Sequence, residues 1–187
     1  MSNKILNEIK YSNYNFFLEK LDKIFVSMDR MYDKIAGFYR FNCTGCVDNC
    51  CETLFYHHTL LEYLYLQKGF AMLPKDKKNS IQKKTLDILK NGQRAMCPVN
   101  INGLCSLYRY RPMICRLHGL PHMLNRPDGN VTKGPGCPLF TEEIKTDEGC
   151  RLDRTHFYMD MAVLEKELRK AAGFSHKIKI TVAQMLS

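Results

Sequence analysis

The residues best suited to do chemistry in this chain are its cysteines, nine among 187 residues. Four stand in one string, Cys43-Thr-Gly-Cys46-Val-Asp-Asn-Cys50-Cys51, a C-x2-C-x3-C-C spacing. Thiolate sulfur is the soft ligand that suits zinc and iron–sulfur clusters. Two residues between Cys43 and Cys46 let a tight turn aim both sulfurs at one metal, and Gly45 relieves the backbone strain of that turn. The step to Cys50 returns a third sulfur to the same side if the chain enters a helix there. Adjacent side chains diverge, so Cys50 and Cys51 either serve two sites or divide between ligation and packing.

Further along come Cys97-Pro98, Cys105, then Tyr108-Arg109-Tyr110-Arg111-Pro112-Met113-Ile114-Cys115-Arg116, and finally Cys137-Pro138. Cysteine followed by proline also ends the bacterial ferredoxin ligand run, although the spacing here differs. Zinc fingers and ribbons present two close cysteine pairs. Three close cysteines followed by distant single ones instead fit a 4Fe–4S cluster, held by Cys43, Cys46, Cys50 or Cys51, and one sulfur between Cys97 and Cys137. Four thiolates around a cluster core or Zn²⁺ of charge 2+ leave about −2, so Arg109, Arg111 and Arg116 are candidates to offset that charge and hydrogen-bond sulfur. His57, His58, His118 and His122 read as packing or hydrogen-bonding residues, and Cys150 as a packing residue.

Composition agrees with metal chemistry. The first 23 residues lack the apolar centre and cleavage site of a signal peptide, and no run of about 20 apolar residues is present. The expectation is a cytoplasmic protein with no membrane partner, where thiols stay reduced and a disulfide scaffold is disfavoured. Lys and Arg number 28 against 19 Asp and Glu, for a formal charge of +9. This favours acidic or nucleic-acid partners. The lysines concentrate in Lys75, Lys77, Lys78, Lys83, Lys84 and Lys90 with Arg94, most simply a solvated helix face without the interleaved aromatics of a single-strand platform.

The elements that must position the cysteines are helical. Phe17, Leu21, Ile24, Met28, Tyr32 and Ile35 recur with one helical face, predicting a helix over Asn15 to Tyr39. Leu54, His57, Leu60, Leu61 and Leu64 continue a helical pattern that Gly69 and Pro74 would end. Further helices are expected over Asp76 to Lys90 and Arg154 to Ala171, the last supported by Glu165 and Arg169 four residues apart. Ile178, Ile180 and Val182 alternate like a short strand with no evident partner. Between Cys97 and Cys150 lie six of the seven prolines and six glycines, a stretch in which regular structure should hardly persist. So long a connection needs an organiser other than apolar burial, and metal ligation supplies one.

Taken together, the C-x2-C-x3-CC string, the Cys-Pro segments and Tyr-x-x-Arg-Pro-x-x-Cys-Arg resemble the YkgJ-type cysteine-cluster family over 43–138. That resemblance implies a zinc-chelating, iron-chelating or iron–sulfur domain. Its eight recurrent cysteines would be Cys43, Cys46, Cys50, Cys51, Cys97, Cys105, Cys115 and Cys137. A related pattern in bacterial flagellin lysine methylases implicates an iron–sulfur cluster in methyl transfer. The expected fold is a single domain over 1–187, mostly α, with helices from both ends packed around an irregular, cysteine-rich metal-binding core. The expected function is iron–sulfur binding with a redox or cluster-assisted modification role and a redox or protein partner. The alternative is a zinc-stabilised interaction module that binds nucleic acid or an acidic protein through its lysines.

Overall fold

The computed structural model describes residues 14–43, 50–52, 55–91, 95–144 and 149–187, and the chain is mostly helical. The first helix, α1, runs Asn15–Tyr39 and buries Phe17, Leu18, Leu21, Phe25, Met28 and Ile35 along one face. It ends where Arg40 takes the left-handed conformation and returns its N–H to the carbonyls of Ala36 and Gly37. A 3-10 turn at Cys50–Glu52 holds the end of the cysteine string, and α2 spans Leu60–Ala71.

Helix α2 is the centre of the molecule, since Leu60 to Leu66 are all buried and α1, α6 and the C-terminal helix pack around it. Its first turn therefore has no water to satisfy its amides. Thr59 caps it by accepting from Glu62 N at 3.2 Å. The carboxylate of Glu165 accepts from Leu60 N at 2.8 Å and Leu61 N at 3.0 Å. A buried anion is favoured there because the exposed amides of a helix N-terminus carry partial positive charge. Arg169, one turn beyond Glu165, pairs with the same carboxylate.

Helix α3, Lys75–Asn91, buries only Ile81 and Thr85. Its lysines are mostly exposed, the solvated face expected of the basic stretch; Arg94, like Leu54 in the pattern before α2, lies outside the described residues.

The proline- and glycine-rich stretch carries more regular structure than its composition suggests. Strands β1 (Asn100–Ile101) and β2 (Leu104–Cys105) form a hairpin that places Cys105 opposite Asn100. The two residues between them, Asn102 and Gly103, both have positive φ, the turn whose twist matches paired strands. A 3-10 turn at Tyr108–Tyr110 leads into the short helix α4, Met113–Leu117. Strands β3 (His122–Asn125) and β4 (Val131–Gly134) pair antiparallel, and β5 (Leu152–Asp153) lies parallel to β3 on its other side. Helix α5, Pro138–Glu143, sits between β4 and β5 in the chain. Short hairpins need only turn residues and a few partners, which is why they survive among prolines that break longer elements.

Helix α6, Thr155–Ala172, packs along α1 with Phe157, Met161, Leu164 and Leu168 inward. The chain then returns towards α2. Ile180 exchanges backbone bonds with His57, and a last helix, α7, spans Val182–Met185. The alternation of Ile178, Ile180 and Val182 does not make a strand: Ile180 alone pairs, with His57 three residues before α2, and Val182 opens a helix, while helical periodicity had placed His57 inside α2. The main apolar cluster draws from α1, α2, α6 and both hairpin regions together.

Removing the Glu165 carboxylate should leave two buried amides and Arg169 without their acceptor. We expect Glu165→Ala to cost about 2–4 kcal/mol, seen as a lowered denaturant midpoint with an unchanged m-value.

Candidate metal centre

Four cysteines from four separate segments line one cavity of about 120 Å³: Cys51 from the 3-10 turn, Cys97 before β1, Cys105 at the end of β2 and Cys115 in α4. Backbone contacts hold two of these segments together, since Cys97 N donates to Cys51 O at 2.9 Å. Burial pushes the Cys97 thiol up to about 12, and Cys51 and Cys105 add to the shift. Burial likewise raises Cys105, with Cys51 adding to it while Arg111 and Arg116 oppose it. Cys115 rises for the same first reason, then through Cys97, Cys105 and Cys51. Each of the four thus lies within electrostatic reach of the other three. Cys97, Cys105 and Cys115 are in no disulfide.

The four thiols line a space; they do not converge on one point. Among the described residues, no group of three or more His, Cys, Asp or Glu side chains is placed to hold a metal ion. The grouping also differs from the spacing argument, which draws three sulfurs from the string and one from further on. Here one sulfur of the string, Cys51, meets three remote ones. Cys46 lies outside the described residues, as does the side chain of Cys50.

Cys43 and Cys137 fall in a second group, around Tyr32. Burial raises the Tyr32 phenol well above its usual range, and the two thiols are the next causes. Cys137 is fixed by a turn at Gly136, whose φ of 100° and close approach to Gly119 O exclude a side chain. Its N–H donates to Gly119 O at 3.0 Å, and its sulfur accepts from Phe140 N at 3.4 Å as the cap of α5. Cys150 is exposed, and its carbonyl accepts from the Tyr39 hydroxyl at 2.8 Å. A purely apolar packing role for it does not match that exposure.

The three arginines separate by position. Arg109 is exposed and reaches Asp22 at 3.5 Å, away from the cavity. Arg111 lines the cavity, gives Nη2 to Asp29 at 3.1 Å and stacks over Tyr108 at 3.7 Å. Its buried Nε has no partner among the described residues. Arg116 is buried, donates to Asp29 at 2.6 Å and to the carbonyls of Arg111 and Arg109, and lies over the Phe25 ring. It thereby fixes the segment leading to Cys115 onto α1.

Two further carboxylates and one histidine complete the setting, none of them singled out by spacing. Glu62 in α2 accepts from Met113 N at 2.9 Å, at the first turn of the helix that carries Cys115, and from Thr59 Oγ1 at 2.6 Å. Asp29 holds Arg111 and Arg116. His57 lines the cavity, and its Nε2 is buried without a partner among the described residues. His58 Nδ1 bonds Ile178 O at 3.1 Å, whereas burial lowers His118 and His122, consistent with neutral packing residues. The signals that point to His57 are its position six residues after Cys51 and the strand-like tail that needed a partner.

Two outcomes follow. Arg116→Lys keeps the charge and loses the planar fork that spans Asp29 and two carbonyls; it should cost about 3 kcal/mol by chemical denaturation. In metal-free protein the folded state keeps the Cys97 proton at pH values where the unfolded thiol, near 9, has lost it. Stability should therefore be full below about pH 9 and fall by about 1.4 kcal/mol per pH unit for that thiol on the way to 12. Melting temperatures between pH 8 and 10.5 should show this slope, and Cys97→Ser should reduce it. Set beside models of protein families, characterised proteins and solved structures, the chain matches none.

Proposed function

We propose that this chain binds a 4Fe–4S cluster through Cys51, Cys97, Cys105 and Cys115, and that the cluster serves electron transfer or the modification of a protein or small molecule. The observation that carries this reading is the single cavity lined by all four thiols. A tetrahedral zinc site holds each sulfur about 2.3 Å from the ion, so its sulfurs nearly touch and leave no cavity. The space here is about 120 Å³, roughly ten times the 10–15 Å³ that one water requires. That size suits a multi-atom cluster better than one ion.

The donor set fits an anionic guest as well. The wall includes the cationic Arg111. Arg111 and Arg116 favour the thiolate of Cys105, the form in which sulfur ligates iron. When bound, a cluster of this kind supplies one-electron exchange. The protein's part is to hold four sulfurs in place, to balance charge with Arg111 and Arg116, and to shield the site with Phe55, Leu66 and Val182. The resemblance to the YkgJ-type family implies these four ligands and adds Cys43, Cys46, Cys50 and Cys137; the grouping of Cys43 and Cys137 at Tyr32 leaves room for a second centre.

Anaerobically purified protein should contain iron and acid-labile sulfide, about four of each per filled site, with broad visible absorbance. Cys97→Ala and Cys115→Ala should each lose most of that iron, and Cys150→Ala should retain it. Colourless protein holding only zinc, or full iron content in both ligand variants, would overturn the proposal.

A further inference from the structure

Two of the cavity cysteines are joined through their own backbones. Cys97 N donates to Cys51 O at 2.9 Å, and among the described residues this is the one direct backbone bond between any two of the four. Residues joined in this way across paired strands have Cα atoms about 5.5 Å apart, and a disulfide closes over about 4.4–6.8 Å. The two backbones thus already sit at the separation that a disulfide needs. Cys97 is also held from its other side, because its carbonyl accepts from Asn100 N at 2.9 Å and the next two residues, Pro98 and Val99, are buried.

The side chains share one space as well. Cys51 and Cys97 line the same cavity, and their sulfurs lie within electrostatic reach of one another. Neither is in a disulfide, and both are half-buried, so a small oxidant can reach them. Cys105 and Cys115 lack the backbone bond that sets this pair apart: Cys105 stands opposite Asn100 in the hairpin, and Cys115 lies within α4.

We propose that Cys51 and Cys97 of the metal-free chain close a reversible disulfide, with a small disulfide such as oxidised glutathione as the oxidant. One thiolate of the pair attacks a sulfur of the oxidant, whose S–S bond breaks and releases the first glutathione thiolate. The other cysteine then attacks the protein sulfur of that mixed disulfide and displaces the second glutathione. Two protein thiols are oxidised, one glutathione disulfide is reduced to two thiols, and the two cysteine protons pass to the glutathione thiolates. The pairing stands apart from the cluster reading, but its use rests on that reading. With Cys51 and Cys97 bonded to each other, two of the four sulfurs that a cubane requires are withdrawn until the bond is reduced, and the pair acts as a redox latch on loading.

The test uses the full-length chain, reduced and freed of metal with a chelator under anaerobic conditions, then exposed to oxidised glutathione. Its intact mass should fall by two hydrogens with no glutathione retained, and dithiothreitol should restore it. Peptide mapping should find Cys51 joined to Cys97. Cys50 adjoins Cys51, so Cys50→Ser should still form the bond, whereas Cys51→Ser and Cys97→Ser should each lose it. A bridge over so long a loop restricts the unfolded chain, and the oxidised wild type should melt several degrees above the reduced one. Folded protein whose thiols stay reduced or stay bound to glutathione overturns the proposal, as does a dominant bond through Cys50, Cys105 or Cys115. A melting temperature lowered by oxidation overturns the preformed geometry. Protein purified with its cluster should resist the oxidant until its iron is removed. Filled protein that forms the bond and keeps its iron overturns the latch and the assignment of both cysteines as ligands. Wild type that never holds iron or sulfide yet forms the bond overturns the cluster reading alone, whereas a filled cluster whose metal-free chain forms no bond overturns the pairing alone.

Discussion

Much of this structure depends on one buried cation. Arg116 is 3% exposed, and a guanidinium at that depth is tolerable only if its donors are met and a counter-charge is near. Asp29 on α1 supplies the charge, and the carbonyls of Arg111 and Arg109 take other donors. Those partners tie the 3-10 turn, the start of α4 and the middle of α1 to one point. Cys115 is the residue before Arg116, and the turn begins three residues after Cys105. The same ion pair that satisfies a buried charge thus sets where two of the four cavity sulfurs stand.

Around that point the molecule repeatedly uses a carboxylate to close a helix end that water cannot reach. Glu165 meets the first amides of α2, and Glu62 meets the first amide of α4. Both acceptors come from another helix, so each bond is also a tertiary link. Short α4 has too few residues to be stable as an isolated helix. Its place is held from outside, by Glu62 at its start and by Asp29, through Arg116, near its end. The cysteine that it carries is accordingly rigid by virtue of its neighbours.

The cavity then appears where these constraints leave a gap. The sulfurs enter from a turn, a pre-strand segment, a hairpin and a helix, and the C-terminal segment closes one wall through its pairing with His57. Burial favours the protonated thiols of Cys97, Cys105 and Cys115.

Local pattern was enough to place the long elements. The boundaries of α1 and α6 follow to within a residue from their apolar stripes, because an amphipathic helix encodes its buried face every three or four residues, and α3 falls within a residue of the basic, exposed stretch Asp76 to Lys90. The segments Cys43 to Cys51 and Tyr108 to Arg116 stand out in the sequence as the candidates for metal ligation. Spacing could not decide which sulfurs share a cavity. Cys51 meets Cys97, Cys105 and Cys115 only once Arg116, Glu62 and the Asn102–Gly103 hairpin have folded three distant segments together, and such non-local contacts leave no period in the chain. His57 shows the same limit. Its spacing fits the approach to α2, yet Ile180, more than a hundred residues away, pulls it into a strand-like pairing and leaves its ring in the wall of the cavity.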